Sequence, residues 1–139
     1  MRVLFDVDVV LDLLLDRTPF STDAGILFSK AEQGELSGHI CATAVTTIHY
    51  IARKAIGERR AREEVRKLLT FLEPLAVNRA ILEGAFDAAF RDFEDAVSHE
   101  AARQAGVECI VTRNIRDFKG SQIPVYSPSH LVRTLVAVK

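Results

Sequence analysis

Carboxylate side chains are the residues of this sequence with the clearest chemical potential. Acids and amides recur just after short apolar segments or near the start of helix-like segments: Asp6, Asp8, Asp92, Asp95, Asn114 and Asp117. Ligands of an open parallel sheet bind beyond the carboxyl ends of its strands, where such side chains meet. Carboxylates that meet raise one another's pKa unless a cation lies between them. A hard divalent cation, which prefers oxygen ligands, relieves this repulsion and activates water for phosphodiester hydrolysis.

Each acid also has a plain structural interpretation. Asp6 and Asp92 suit helix N-caps; the sequence favours a functional role for Asp6 and leaves both roles open for Asp92. Asp8 is expected to cap the first helix rather than bind a ligand, and Asp12 to lie on an exposed face of that helix. Asp95 lies deeper in its helix than a cap, so a capping role does not explain it.

Other catalytic motifs are absent from the sequence. There is no phosphate-binding glycine loop, no nucleophile elbow, and no His/Cys spacing typical of zinc. Asp6-Val7-Asp8 resembles the Asp-x-Asp start of phosphatases that form an aspartyl-phosphate, but their Gly/Thr loop is missing, which makes a phosphatase or nucleotidase the less favoured alternative. Cys41 and Cys109 lie in apolar segments, as expected for buried thiols in a reducing cytoplasm.

The elements that position these residues alternate between short apolar strands and helices. Strands are predicted at 2–6, 37–42, 75–77, 108–112 and 124–126. Helices are predicted at 8–16, 22–33, 43–56, 58–72, 78–90, 92–105 and from Ser127 onward. This alternation predicts an α/β fold with a mainly parallel sheet of four to five strands. The length of 139 residues fits a single domain over residues 1–139.

Charge is balanced overall but uneven along the chain. Eighteen basic and 19 acidic residues give a net charge of −1, so the whole chain is not an electrostatic nucleic-acid binder. Residues 53–67 are predominantly basic and residues 73–100 predominantly acidic, which indicates two different surfaces. Solvated helix faces with ion pairs are the alternative for both, and for the basic stretch the two interpretations are equally favoured. No apolar run is long enough to cross a bilayer, and no signal peptide is visible, so a cytoplasmic protein is expected.

The order and spacing of three segments resemble the PIN-domain family of metal-dependent ribonucleases, which includes VapC-like toxins. The segment 3–12 is similar to the family's strand–Asp–x–Asn opening, with Asp8 where Asn or Ser is usual. The segment 92–96 is similar to the start of its later acidic helix, and 110–118 to its Thr-x-Asp strand end. The resemblance covers nearly the whole chain and implies a three-layer α/β/α PIN-like domain.

The resemblance implies an endoribonuclease that uses Mg2+ or Mn2+. Asp6 and Asp95 match acids of the family and would bind the metal, with Asp117 as a third possible ligand. Asn114 would order metal-bound waters with Asp117, while Thr112 and Thr46 would hydrogen-bond to those waters or to the scissile phosphate. The RNA backbone would be contacted by four basic residues: Arg53, Lys54, Arg59 and Arg60.

Two departures from the family pattern favour an alternative. The family carries an acid early in the helix after the second strand, whereas 44–50 contains none; Thr46, Thr47 or His49 occupies that region. Asn114 also stands where Asp is commoner. The alternative is a catalytically impaired PIN-like domain that acts as an RNA-binding or protein-interaction module.

Partners are also implied by the resemblance. VapC-like toxins are neutralised by a small antitoxin protein and often form homodimers. The antitoxin groove would lie between 11–28 and 51–69, with Phe20 and Phe28 either as apolar anchors for the partner or as part of the domain's own core.

Overall fold

A central parallel sheet organises the chain. The computed structural model describes residues 1–138. Its strands are β1 (Arg2–Phe5), β2 (Ser37–Cys41), β3 (Leu72–Leu75), β4 (Cys109–Val111) and β5 (Val125–Tyr126). They form one five-stranded sheet in the order β3-β2-β1-β4-β5, with every pairing parallel. The predicted α/β class and the parallel sheet are therefore confirmed.

Seven α-helices connect and flank the strands. They are α1 (Val7–Leu14), α2 (Phe20–Glu32), α3 (Ala42–Ile56), α4 (Glu58–Leu68), α5 (Arg79–Phe86), α6 (Phe93–Gln104) and α7 (Pro128–Val138). A short 3-10 helix, Ile115–Phe118, follows β4. The strand–helix alternation gives the α/β/α layering that the resemblance implied. Among the described residues, no helix is long and apolar enough to cross a membrane.

The core centres on β1, the middle strand of the sheet. Leu4 pairs with His39 of β2 on one side and with Ile110 of β4 on the other. Phe28 of α2 stacks on Phe5 with ring centroids 4.4 Å apart and is 3% exposed. Phe28 is therefore a core residue rather than an anchor for a partner, while Phe20 is exposed.

Glycine is required where β2 packs against its neighbours. A Cβ added at Gly38 would lie 2.5 Å from Leu72 Cδ2 and 3.2 Å from Phe5 Cε2. Gly57 separates α3 from α4 at a φ of +89°, a conformation that side chains other than glycine rarely adopt. The predicted stop of α3 at Gly57 is confirmed.

Several predicted boundaries were wrong, including those of α1, β3 and α5. Asp6, not Asp8, caps α1, because the helix begins at Val7 directly after the strand. Strand β3 starts at Leu72 and contains Pro74, where the sequence predicted that α4 would extend to Leu72. Because β3 is the edge strand of the sheet, the missing N–H of Pro74 is tolerated there. Helix α5 ends at Phe86 rather than near residue 90.

Candidate active site

Asp6 stands at the centre of the candidate site, at the carboxyl end of β1. One carboxylate oxygen accepts a hydrogen bond from Val7 N at 2.9 Å, so Asp6 caps α1. The other accepts from the Thr112 hydroxyl at 2.8 Å. Phe5 and Val111 are paired in the sheet, so the residues that follow them are neighbours. The hydrogen bond between Thr112 and Asp6 thus joins two residues that directly follow adjacent parallel strands.

Asp8 lies beside Asp6 in the first turn of α1. Its Oδ2 accepts from Arg113 N at 3.0 Å and lies 3.4 Å from the Thr112 hydroxyl. The Thr112 hydroxyl has only one proton for hydrogen bonding, and the shorter distance indicates that it donates to Asp6. Asp8 Oδ1 is buried and has no hydrogen-bond partner among the described residues. Burial raises the pKa of Asp8 above its ordinary value.

Asp95 approaches Asp6 from α6. Asp92 caps this helix by accepting from Asp95 N at 3.0 Å, so the capping interpretation of Asp92 is confirmed. Burial, followed by the charges of Asp6, Asp92, Asp117 and Glu94, raises the pKa of Asp95 to about 7. The pKa of Asp6 rises to about 6, mainly through burial and then through the charge of Asp8. Repulsion between carboxylates is therefore a property of this site.

Asp12 is buried, which corrects the expectation of an exposed helix face. It is 0% exposed and accepts two hydrogen bonds from the Arg113 guanidinium, at 2.6 Å from Nε and 3.0 Å from Nη2. The same guanidinium lies 3.9 Å from the centre of the Phe20 ring. A buried carboxylate requires such a partner. The pair joins α1 to the segment that follows β4 and so supports Asp8 and Thr112.

Thr47, rather than Thr46, reaches the acidic cluster from α3. The Thr46 hydroxyl donates to the Thr43 carbonyl at 2.8 Å, and Thr46 lines a surface groove against α4. The Thr47 hydroxyl donates to Glu94 Oε2 at 2.7 Å. Because successive helix residues point about 100° apart, the two neighbouring threonines face different directions, and Thr46 lies on the side of α3 that faces α4.

Asn114 and Asp117 lie at the rim of the site. The side chains of both are exposed, and Asn114 N donates to the Thr112 hydroxyl at 3.0 Å. Asp117 belongs to the 3-10 helix and is close enough for its charge to raise the pKa of Asp95. Thr112 itself is 0% exposed and links Asp6 to this segment.

The four basic residues predicted to contact RNA lie away from the acids. Arg53 and Lys54 flank the exposed Tyr50 ring, at 5.7 and 4.4 Å from its centre. Arg59 forms an ion pair with Glu63 at 3.5 Å, and Arg60 is exposed next to it at the start of α4. With a rise of about 1.5 Å per residue, Arg53 is about 9 Å further along α3 than Thr47. These residues are therefore displaced from the acids, along α3 and at the start of α4.

The donor set suits a hard divalent cation that keeps several of its waters. Within residues 1–138, no three His, Cys, Asp or Glu side chains converge as a ready metal-binding group. Asp6 and Asp95 nevertheless repel each other, and Asp8 Oδ1 is buried without a partner, both of which a cation would relieve. Mg2+ needs only one or two carboxylates because water fills its other positions.

The sequence interpretation missed two features of the site. The first is Glu94, which lies between Asp92 and Asp95 in the sequence. Its place in this acidic run was a signal that Glu94 lies near the other acids. Asp12 lies among leucines in α1, and an acid in so apolar a segment was a signal of burial with a partner. Arg113, that partner, lies directly after Thr112.

The family profile described as the PIN domain matches residues 2–116. This chain therefore belongs to the PIN-domain family, whose members are generally nucleases that use divalent metal ions. No curated protein matches the sequence.

Solved structures of toxin–antitoxin proteins share the fold. The VapBC2 complex from Rickettsia felis, bound to a promoter DNA fragment, superposes with a TM-score of 0.69 at 10% identity, covering 91% of this chain and 98% of that one. A toxin–antitoxin complex from Klebsiella pneumoniae gives 0.65 at 21% identity, with 91% and 97% covered. VapC20 from Mycobacterium tuberculosis, a toxin that cleaves the sarcin–ricin loop, gives 0.63 at 16% identity, with 78% and 86% covered. At these identities the likeness concerns the fold.

Proposed function

We propose that this chain is a metal-dependent endoribonuclease, the toxin of a toxin–antitoxin pair that acts in the cytoplasm. The observation that carries the proposal is the pair Asp6 and Asp95, which β1 and α6 bring together: burial and then the charge of Asp6 raise the pKa of Asp95, and burial and then the charge of Asp8 raise the pKa of Asp6. The family and the toxins that share its fold favour RNA over other phosphodiesters. Both cysteines are buried and unpaired, in keeping with a reducing compartment.

The residues of the site have distinct roles in the proposed reaction. Asp6 and Asp95 would hold Mg2+ or Mn2+, and Asp117 would contribute from the rim. When bound, the metal lowers the pKa of a coordinated water and stabilises charge on the phosphate. Thr112 holds Asp6 in place by donating a hydrogen bond to that carboxylate. Asn114 and Asp117 are exposed at the rim, where they would orient water near the phosphate.

RNA would reach the site along the basic end of α3 and α4. Arg53, Lys54, Arg59 and Arg60 form an exposed basic surface beside Tyr50. Neutralised phosphates release counterions, so this surface would add affinity without sequence preference.

An antitoxin segment would occupy a groove between α1, α2 and α4. The groove has a volume of about 420 Å3, and its apolar wall includes Leu13, Leu14, Leu68 and Phe71. Solved complexes of the same fold contain antitoxins, which supports this partner.

A homodimer is also proposed. Phe86 and Phe93 are 73% and 45% exposed and lie 4.7 Å apart, which offers an apolar surface for a second copy.

The proposal is tested by incubating RNA with the purified protein and Mn2+, with and without EDTA. Wild-type protein is expected to cleave RNA only with metal, and Asp6→Asn and Asp95→Asn to lose cleavage by at least about 100-fold, because each removes a metal-binding charge. Asp16→Asn is the matched control, since Asp16 is exposed at a φ of 47° that Asn tolerates.

The absence of an acid in the first turns of α3 favours one other function, an RNA-binding or protein-interaction module without catalysis. Wild-type protein that binds RNA but leaves it intact in Mn2+ would support that module and contradict the nuclease.

A further inference from the structure

A pocket lies next to the candidate site, where β4 and β5 end. Arg113 comes two residues after β4, and Ser127 follows β5 directly. Because β4 is the neighbour of β1, the pocket lies one to two strand spacings, or about 5–10 Å, to the side of the strand that Asp6 follows. The pocket has a volume of about 290 Å3 and is lined by six residues: Phe20, Asp23, Arg113, Ser127, Pro128 and Ser129.

Phe20 and Arg113 give this pocket a stacking surface. The Phe20 ring is 42% exposed, and the Arg113 guanidinium lies 3.9 Å from its centre. Two hydrogen bonds to the buried Asp12 carboxylate hold the guanidinium in place. A role in covering this ion pair explains why the ring contacts Arg113, but it does not explain why both side chains border open space. Aromatic rings and guanidinium planes are the surfaces on which unpaired RNA bases stack.

Asp23 adds a hydrogen-bond acceptor to the pocket. It lies in the first turn of α2, one turn after Phe20, and is partly buried. The helix dipole favours an acid there, but it does not require the carboxylate to line a pocket. An ionised carboxylate repels phosphate and accepts from the amino groups of bases, so the pocket suits a base rather than a phosphate. The hydroxyls of Ser127 and Ser129, 3.4 Å apart, offer further polar contacts.

The strand order places this pocket and the basic surface on opposite sides of Asp6. In the order β3-β2-β1-β4-β5, α3 begins after β2 on one side of β1, and the pocket lies beyond β4 on the other. A single strand of RNA that contacted both would cross the carboxyl end of β1, where Asp6 lies.

We propose that the pocket binds one unstacked base of a single-stranded RNA substrate, with Phe20 and Arg113 as the stacking surface and Asp23 as the acceptor for an amino group of the base. The inference rests on the proposed function and adds a base contact to a site whose other proposed RNA contacts are with phosphates. Cytosine carries an amino group where uracil carries a carbonyl oxygen, so cytosine is favoured over uracil in this pocket.

Tryptophan fluorescence tests the stacking, because the chain contains no tryptophan. Phe20→Trp introduces an indole ring in the pocket, and Ile26→Trp introduces one at an exposed position of the same helix outside it. A short cytidine oligonucleotide is titrated into each variant in EDTA, so that the RNA stays intact. Stacking is expected to quench the fluorescence of Phe20→Trp and to leave that of Ile26→Trp unchanged. Equal responses of the two variants would contradict the proposal.

The affinity for labelled oligonucleotides, measured by fluorescence anisotropy in EDTA, tests the two roles separately. Phe20→Leu, which keeps an apolar side chain next to Arg113, is expected to weaken binding of the cytidine oligonucleotide by about 5-fold or more, and Ile26→Ala to leave it unchanged. The wild type should bind cytidine about 5-fold more tightly than uridine, and Asp23→Asn should lose this preference. Urea unfolding shows whether the variants are folded. A folded Phe20→Leu that binds as the wild type does, or equal affinity of the wild type for the two oligonucleotides, would overturn the proposal.

The outcomes separate this inference from the proposed function. If the wild type cleaves RNA in Mn2+ but Phe20→Leu binds RNA normally and Phe20→Trp is not quenched, the inference fails and the nuclease proposal stands. If Phe20→Trp is quenched but the wild type leaves RNA intact, the base pocket stands and the nuclease proposal fails. If the wild type neither binds nor cleaves RNA, both fail.

Discussion

At the residue scale, Asp6 and Asp95 are the two side chains that point most clearly to a chemical role. The Asp6 carboxylate accepts from Val7 N and from the Thr112 hydroxyl, and Asp95 lies in the first turn of α6, where its backbone N donates to Asp92. Burial is the largest cause of both raised pKa values, and the charges of neighbouring carboxylates raise them further. The folded protein therefore holds charge in a place that is unfavourable for stability and favourable for binding a cation.

Removing one of these charges should stabilise the metal-free protein. The pKa of Asp95 rises from its usual 3.8 to about 7, so the folded state binds this proton more tightly than the unfolded state. Stability is then higher below pH 4 and falls as the pH rises through 7. Asp95→Asn should raise the free energy of unfolding at pH 8 by about 1–2 kcal/mol, after allowance for solvent screening. Urea unfolding measures this change in the free energy of unfolding. A decrease of the same size for Asp95→Asn at pH 8 would contradict the prediction.

The affinity for Mn2+ should depend on pH in the opposite direction. Metal binding requires the deprotonated carboxylates, and the pKa values of Asp6 and Asp95 are about 6 and about 7. Affinity should be highest above pH 7.5 and fall by about 10-fold or more between pH 7 and pH 5.5. Calorimetric titrations at several pH values measure it. Constant affinity over this range would mean that these two carboxylates are not the ligands.

At the element scale, the buried pair Asp12 and Arg113 joins α1 to the segment after β4. Arg113 also packs against Phe20, which extends the contact to α2. This contact adjoins the site, because the backbone N of the same Arg113 donates a hydrogen bond to Asp8. The stability of the fold and the geometry of the acids are therefore coupled at one residue.

Removing only Arg113 should lower the free energy of unfolding more than removing both Asp12 and Arg113. Arg113→Leu leaves Asp12 buried with only Arg17, at 3.7 Å, and should lower the free energy of unfolding by about 3–5 kcal/mol. Asp12→Leu combined with Arg113→Leu should lose less, because no unpaired charge remains buried. Urea unfolding of both variants measures the difference, and a double variant less stable than Arg113→Leu would contradict the argument.

Much of the element order could be predicted from the sequence, because strand length and helix-stopping residues are local signals. Gly57 ends α3 and Asn78 caps α5 as predicted. The start of β3 could not be predicted, because Pro74 normally ends a strand and only the edge position of β3 removes its cost.

The candidate site was predictable in part. Asp6 could be placed at the carboxyl end of β1, since that signal is local. The contacts of Thr47 with Glu94 and of Asp12 with Arg113 join residues 47 and 101 positions apart, so they depend on packing that no local pattern specifies. Thr46 and Thr47 are equivalent in type, and only the rotation of α3 decides which one faces the acids.

At the scale of the whole molecule, charge is divided between two regions. The acids lie at the carboxyl ends of the strands, and the basic surface lies toward the end of α3 and the start of α4. With a net charge of −1, the chain as a whole does not favour RNA electrostatically, so attraction to RNA would have to come from a local basic surface. We expect it to govern affinity, while the acids govern cleavage.

This division predicts separable effects on binding and cleavage. Arg53→Gln combined with Lys54→Gln should weaken RNA binding and lower the slope of log K against log salt by about 1.4, or about 0.7 for each lost phosphate contact on a single strand. Cleavage at saturating RNA should stay unchanged. Fluorescence anisotropy over a salt series measures the slope, with Arg79→Gln, an exposed arginine on α5, as control. An unaltered slope would place RNA elsewhere on the surface.

The most direct measurement is a calorimetric titration of Mn2+ into the wild-type protein and Asp95→Asn at pH 8. We expect the wild type to bind Mn2+ and Asp95→Asn to lose at least about 10-fold in affinity, since we propose that the acids of β1 and α6 hold one cation together. Equal binding by the two proteins, or no binding by the wild type up to millimolar Mn2+, would contradict it.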